Sequence, residues 1–159
     1  LAIICHKANT EALIVIAGEP GRRARELEKF LQRMHDGRQV GRPLVVKHLG
    51  FKGYRAPGLV YGGPGGDDSA NPFIQILSET ASDALAHLTL IDMHISPEVF
   101  KQMIKILNQA KRLRSLALIR VTMGKDDPDP LTTCMPDLSH IRHIEFSFCD
   151  ITTVRLRFS

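Results

Sequence analysis

The stretch LAHLTLIDMHI, Leu85 to Ile95, sets apolar residues at Leu85, Leu88, Leu90, Met93 and Ile95. Alternation around Leu88 and Leu90 is the pattern of a strand with one buried face. The same spacing returns in LRSLALIRVTM, Leu113 to Met123, and in IRHIEFSFCDI, Ile141 to Ile151, at a step of 28 residues each time. The equivalent positions are Leu113, Leu116, Leu118, Val121 and Met123, then Ile141, Ile144, Phe146, Cys149 and Ile151, and all are apolar. A fixed step with conserved internal spacing predicts a repeated supersecondary unit.

Upstream, VKHLGFKGYRA (Val46 to Ala56) fits the template through Val46, Leu49, Phe51, Tyr54 and Ala56, at a longer step of 39 residues. The excess lies in PGLVYGGPGGDDSANP, residues 57–72, whose Gly, Pro and Asp content predicts an insertion loop. EALIVIAG (Glu11 to Gly18) is β-prone, and residues 1–43 are read as a degenerate first unit ahead of clearer repeats over 44–151.

Helical patterns fill the gaps. Ser96 before Pro97 predicts an N-cap with proline in the first turn, and Val99, Phe100, Met103, Ile104, Leu107 and Ala110 follow at helical spacing. Lys111 and Arg112 suit the negative end of that helix. Helices are also predicted over about 22–35, with Leu27, Phe30, Leu31 and Met34 on one face, and over 73–84, with Phe73, Ile76 and Leu77. Pro128, Pro130 and Pro136 should limit 124–139 to a short or irregular turn, although Leu131 and Met135 keep helix-like offsets from the next strand.

The unit is thus strand, turn, helix and return, and its LxxLxLxx(N/C)xL pattern resembles the leucine-rich repeat in its ribonuclease-inhibitor-like form. The resemblance implies an irregular α/β solenoid of about four repeats forming a single domain over 1–159, with parallel strands on the concave side and helices on the convex side. It departs from the family at the ninth position, where Tyr54, Met93, Val121 and Cys149 replace the usual ladder of asparagines. The alternative is a doubly wound α/β domain, which also alternates strands and helices.

Positions 2, 3, 5, 7 and 8 of each unit should face outward from the sheet. The first row is Lys47, Ala86, Arg114 and Arg142, a basic edge. The next is His48, His87, Ser115 and His143, followed by Gly50, Thr89, Ala117 and Glu145. Lys52, Ile91, Ile119 and Ser147 form the fourth row, and Gly53, Asp92, Arg120 and Phe148 the fifth. Exposed apolar residues rimmed by arginine are the composition of a protein-binding hot spot. Alternatively, Ile91 and Ile119 pack beneath a segment missing from this chain. Three histidines in one row raise the question of a metal, and the two nearest would stand one strand spacing (~4.8 Å) apart if their units are adjacent, but Ser115 interrupts the row and no carboxylate or cysteine completes a set; solvated or partner-contacting histidines are expected.

Catalytic motifs fail on inspection. IVIAGEPGRR (Ile14 to Arg23) lacks the second glycine and the Lys-Ser/Thr of a phosphate loop. GGPGG (Gly62 to Gly66) is read as a flexible loop. KDDPDP (Lys125 to Pro130) lacks the central glycine and terminal glutamate of an EF-hand. Cys5 beside His6 is no catalytic pair on adjacency alone. No cofactor, metal or catalytic residue is expected.

A net charge of +4 points to a protein partner of acidic character, while the scatter of the basic residues argues against nucleic acid. Three cysteines without CxxC spacing argue against a disulfide scaffold or a zinc site and fit a cytoplasmic or nuclear setting. No apolar run approaches the ~18 residues of a membrane span. The chain opens with leucine and reads as a fragment of a longer protein.

The irregular repeats, with phrases such as PLVVKHLGF and DLSHIRHIEF, resemble the substrate-binding regions of fungal-type F-box proteins, receptors of ubiquitin ligases. The 28-residue units also resemble the sensor arrays of NACHT-type immune receptors. A third family, the leucine-rich-repeat GTPase-activating proteins, implies an arginine acting in trans, and Arg120 is the residue that would fill that role.

Overall fold

Strands β2 (Glu11–Val15), β3 (His48–Lys52), β4 (His87–Ile91), β6 (Ser115–Ile119) and β8 (His143–Ser147) lie side by side and parallel, in the order in which the chain makes them. The structure is a computed structural model and describes residues 3–6, 11–15, 20–53, 72–123, 138–147 and 149. β1 (Ile3–His6) pairs antiparallel with β2 at the sheet's first edge. Helices α1 (Pro20–Gln39), α2 (Pro72–Asp83) and α3 (Pro97–Gln109) pack in sequence, α1 on α2 and α2 on α3. The protein is an α/β fold with a parallel sheet covered by helices. Among the described strands the order never reverses, whereas a doubly wound sheet turns back at a switch point. No described helix is long and apolar enough to cross a membrane.

The strand register follows the sequence spacing. Leu49, Leu88, Leu116 and Ile144 are direct partners across β3, β4, β6 and β8, as are Phe51, Leu90, Leu118 and Phe146. Alternate side chains point to opposite faces of a strand, and the burial follows. In β4 and β6, Leu88, Leu90, Leu116 and Leu118 are buried, while their neighbours His87, Thr89, Ile91, Ser115, Ala117 and Ile119 are half-exposed. The buried face meets the helices. Phe51 of β3 packs edge-on against Phe73 of α2, ring centroids 4.8 Å apart.

Each helix buries the stripe its spacing foretells: Leu27, Phe30, Leu31 and Met34; Phe73, Ile76 and Leu77; Val99, Phe100, Met103, Ile104, Leu107 and Ala110. Ser96 caps α3 by accepting the Val99 N–H at 3.3 Å. Lys111 and Arg112 fall beyond the end of α3, and His140, from the approach to β8, contacts the Leu107 carbonyl at 3.1 Å near that end. Thr80, the one buried polar residue among those described, donates its hydroxyl to Ile76 O at 2.8 Å and so leaves no orphaned group.

α1 is longer than its apolar stripe, Pro20–Gln39 rather than about 22–35. It runs to a glycine stop, with Gly41 left-handed at φ +70°. Arg42 N–H then bonds Gly37 O at 2.8 Å and Gly41 N–H bonds Arg38 O at 3.1 Å, the paired closure of a Schellman end. Beyond β4 and β6 the chain turns through Asp92 and Arg120 into β5 (His94–Ile95) and β7 (Thr122–Met123), which pair parallel as a second small sheet. That turn buries Met93, Ile95 and Val121. At the equivalent of Met93 and Val121, the Cys149 thiol donates to Leu118 O at 3.0 Å. A polar link between units thus exists at a position from which no asparagine ladder was expected.

One spine expectation is corrected. Phe146 holds the Leu118 position in register yet is 42% exposed, and Ile144 is half-buried. Among the described residues no helix follows β6, so no described helix comparable to α3 covers this strand. Tyr54, Ala56, Leu131, Met135, Phe148, Ile151 and the 57–72 insertion, apart from Pro72 at the start of α2, lie outside the described residues.

Candidate functional site

The face of the sheet turned away from the helices carries the outward rows. Its basic edge is held by a repeated backbone ladder at the strand entries. Lys47 O accepts the N–H groups of Ala86 and His87 at 2.8 and 2.9 Å, Ala86 O those of Arg114 and Ser115 at 2.8 and 3.1 Å, and Arg114 O those of Arg142 and His143 at 2.9 and 3.0 Å. Lys47, Arg114 and Arg142 are all exposed. Arg114 is partly committed, since its guanidinium donates to Lys111 O at 2.8 Å and tethers the turn after α3.

In the next row the structure brings two of the three histidines together. His48 and His87 stack with ring centroids 4.2 Å apart and planes 18° from parallel. Burial, and then the neighbouring His48, push the His87 pKa below its ordinary value, so His87 favours its neutral ring. His143 stands apart, two strands from His87 with Ser115 between. Glu145, one position inward in the pleat, is exposed and accepts the Ser147 hydroxyl at 3.0 Å. Among the residues whose side chains are described, no three His, Cys, Asp or Glu gather to hold an ion.

Ile91 and Ile119 are direct cross-strand partners and half-buried, flanked by exposed Lys52 on one side and Ser147 on the other. They are neither core nor fully solvated; the sheet covers one side of each and the other is open.

The last row is the most ordered. Gly53 N–H bonds Ile91 O at 2.9 Å, Asp92 N–H bonds Ile119 O at 2.9 Å, and Arg120 N–H bonds Ser147 O at 2.8 Å. A Cβ on Gly53 would sit 2.5 Å from Asp92 O, so the close approach of the two turns requires glycine there. Asp92 and Arg120 share a left-handed backbone, φ 53° and 51°. The Arg120 guanidinium grips the Asp92 carboxylate with both arms, Nε to Oδ1 at 2.5 Å and Nη2 to Oδ2 at 2.9 Å. That hydrogen bond, and then the charge, hold Arg120 even more firmly protonated. His94 and Thr122, two residues further on, meet at 2.8 Å. Both pairs are separated by 28 residues, the spacing of the repeat.

Sequence reasoning placed His48 and His87 in one row, a strand spacing apart if their units are adjacent, and the strand register makes them direct partners. It missed the Asp92–Arg120 pair, which was legible: opposite charges at one template position in successive units stand on adjacent strands.

No family model matches the chain, and no curated protein or solved structure matches it either.

Proposed function

We propose that the chain is a protein-recognition module of the leucine-rich-repeat type, binding its partner on the open sheet face rather than catalysing a reaction. The observation that carries this is the Ile91–Ile119 pair, half-buried on an open parallel sheet and bordered by Lys52 and by the Asp92–Arg120 link. Amphipathic rims around an apolar centre are how binding energy concentrates. Repeated strands at a 28-residue spacing support the repeat reading, because a unit that cannot hide its apolar face alone buries it by stacking. Lys47, Arg114 and Arg142 give the approach an acidic preference, which acts mainly on association rate. On resemblance alone, the setting is the substrate-recognition region of an F-box-type ubiquitin ligase receptor, with a NACHT-type sensor array as the other setting. The engagement of Arg120 by Asp92 favours a structural role over an arginine acting in trans.

Capture of partners by the immobilised protein tests this reading. Ile119→Asp should abolish capture with an unchanged circular dichroism spectrum, and Lys105→Glu on the helix side should leave capture intact. Loss of capture by Lys105→Glu but not by Ile119→Asp would move the interface to the helices. Unfolding of Ile119→Asp would make that residue core.

A further inference from the structure

The turns that enter β3, β4, β6 and β8 lie at one end of the molecule, because those strands are parallel and in register. Residues 40–47, 110–114 and 138–142 bring Arg42, Lys47, Lys111, Arg112, Arg114 and Arg142 to that end and no carboxylate; residues 84–86, entering β4, carry no charge. All of these cations are exposed, although the net charge of the whole chain is only +4. Charges scattered along the sequence are thus gathered by the fold. The backbone ladder sets Lys47, Ala86, Arg114 and Arg142 side by side, at ~4.8 Å per strand. Arg114 donates to Lys111 O at 2.8 Å, so Lys111 and Arg112 border that row. Among the described residues no carboxylate pairs with Arg42, Lys47, Lys111, Arg112 or Arg142. The same end presents apolar surface: Val40 is 71% exposed and Val45 38%, on either side of Arg42. Helix dipoles favour cations near C-terminal ends. That accounts for Lys111 and Arg112, but not for Lys47 and Arg142 at strand starts, nor for the bare valines.

We propose that this end docks on an anionic lipid bilayer, with Arg42, Lys47, Lys111, Arg112 and Arg142 on the headgroups and Val40 and Val45 entering between them. Cations alone suit any polyanion. Cations interleaved with bare aliphatic side chains suit a surface that is charged at its face and apolar just beneath. A nucleic-acid backbone offers no such apolar layer, and no Phe, Tyr or Trp stands in these turns to stack a base. No described helix is long and apolar enough to cross a membrane, so the contact is with one leaflet. Ile91 and Ile119 lie five residues further along their strands than Ala86 and Arg114, a distance of about 16 Å. The docked protein therefore keeps its open sheet face free, and the lipid contact does not depend on what that face binds.

Co-sedimentation of the whole chain with lipid vesicles tests the surface. Vesicles of phosphatidylcholine containing phosphatidylserine should bind the chain, pure phosphatidylcholine vesicles should not, and added salt should release it. Lys111→Glu/Arg112→Glu should weaken binding by about 25-fold or more, since each cation near an anionic leaflet is worth about fivefold. Val40→Ser/Val45→Ser, which leaves the charge untouched, should weaken it severalfold; that loss separates a bilayer from other polyanions. Lys105→Glu, on the helix side, should bind nearly as the wild type does, and all variants should keep the wild-type circular dichroism spectrum. Absence of binding to the anionic vesicles would overturn the proposal. So would full binding by Val40→Ser/Val45→Ser, or a loss in Lys105→Glu as large as in Lys111→Glu/Arg112→Glu. Tighter binding of the wild type to duplex RNA or to polyglutamate than to anionic vesicles would assign the surface to that partner instead and overturn it as well.

Discussion

The step from β4 to β6 and the step from β6 to β8 have the same length and the same strand register, but they bury different amounts of side chain. In the first, Leu88, Leu90, Leu116 and Leu118 are all at most 1% exposed. In the second, Ile144 is half-buried and Phe146 is 42% exposed although it faces Leu118 directly. Register needs only a backbone ladder and side chains alternating in step. Burial needs a layer on top. α3 provides that layer between β4 and β6, and no described helix provides it beyond β6. Periodicity in a sequence therefore locates strands more securely than it locates core.

This difference is sharpest in paired substitutions. Leu116→Asp places a charge with no partner among Leu88, Leu118 and the helix layer, and it should abolish the cooperative urea transition followed by circular dichroism. Leu118→Ala, which only opens a cavity, should cost about 2–5 kcal/mol. Phe146→Ala, the same row one strand on, should cost less than about 1 kcal/mol, because exposed positions away from special features rarely exceed that. Equal losses at Leu118 and Phe146 would mean that β8 is covered as β6 is.

The turns that end β4 and β6 offer a second, smaller test. Asp92 adopts φ 53°, a conformation in which a side chain is crowded and glycine is not. Asp92→Ala and Asp92→Gly both delete the link to Arg120, so they differ in backbone alone. Asp92→Gly should be the more stable of the two by about 1–2 kcal/mol, less the extra entropy of glycine in the unfolded chain. If the alanine variant is as stable, the left-handed turn is not retained in solution.

Much of this architecture was legible before the structure. The apolar template placed Leu88, Leu116 and Ile144 opposite one another, and the Ser96–Pro97 cap and all three helical stripes fall where spacing put them. What was not legible depends on cover and on chain return. Phe146 satisfies the pattern as well as Leu118 does, and what separates them is their burial, 42% against 1% exposed. The extra length of α1 comes from the Gly41 stop, a feature of backbone closure and not of apolar period.

The smallest expected effect separates the two ends of the histidine row. His87 is partly withdrawn from water against His48, so its folded-state pKa lies below the ordinary value of 6.5. The unfolded chain then binds the proton more readily than the folded one, and stability must rise with pH across that interval. The full contribution is present above about pH 6.5, declines as the pH falls through that value, and levels off below the lowered pKa of the folded state. Urea midpoints measured between pH 5 and 8 should show this as a shallow slope. Replacing His87 with Gln should flatten the slope, since the group that titrates is gone, and His48→Gln should reduce it, since one of its two causes is removed. His143→Gln should leave the slope in place, because His143 shares no contact with the pair across the Ser115 strand. A slope of the opposite sign, with the protein gaining stability as the His87 ring becomes charged, would show that His87 is not held against His48 in solution.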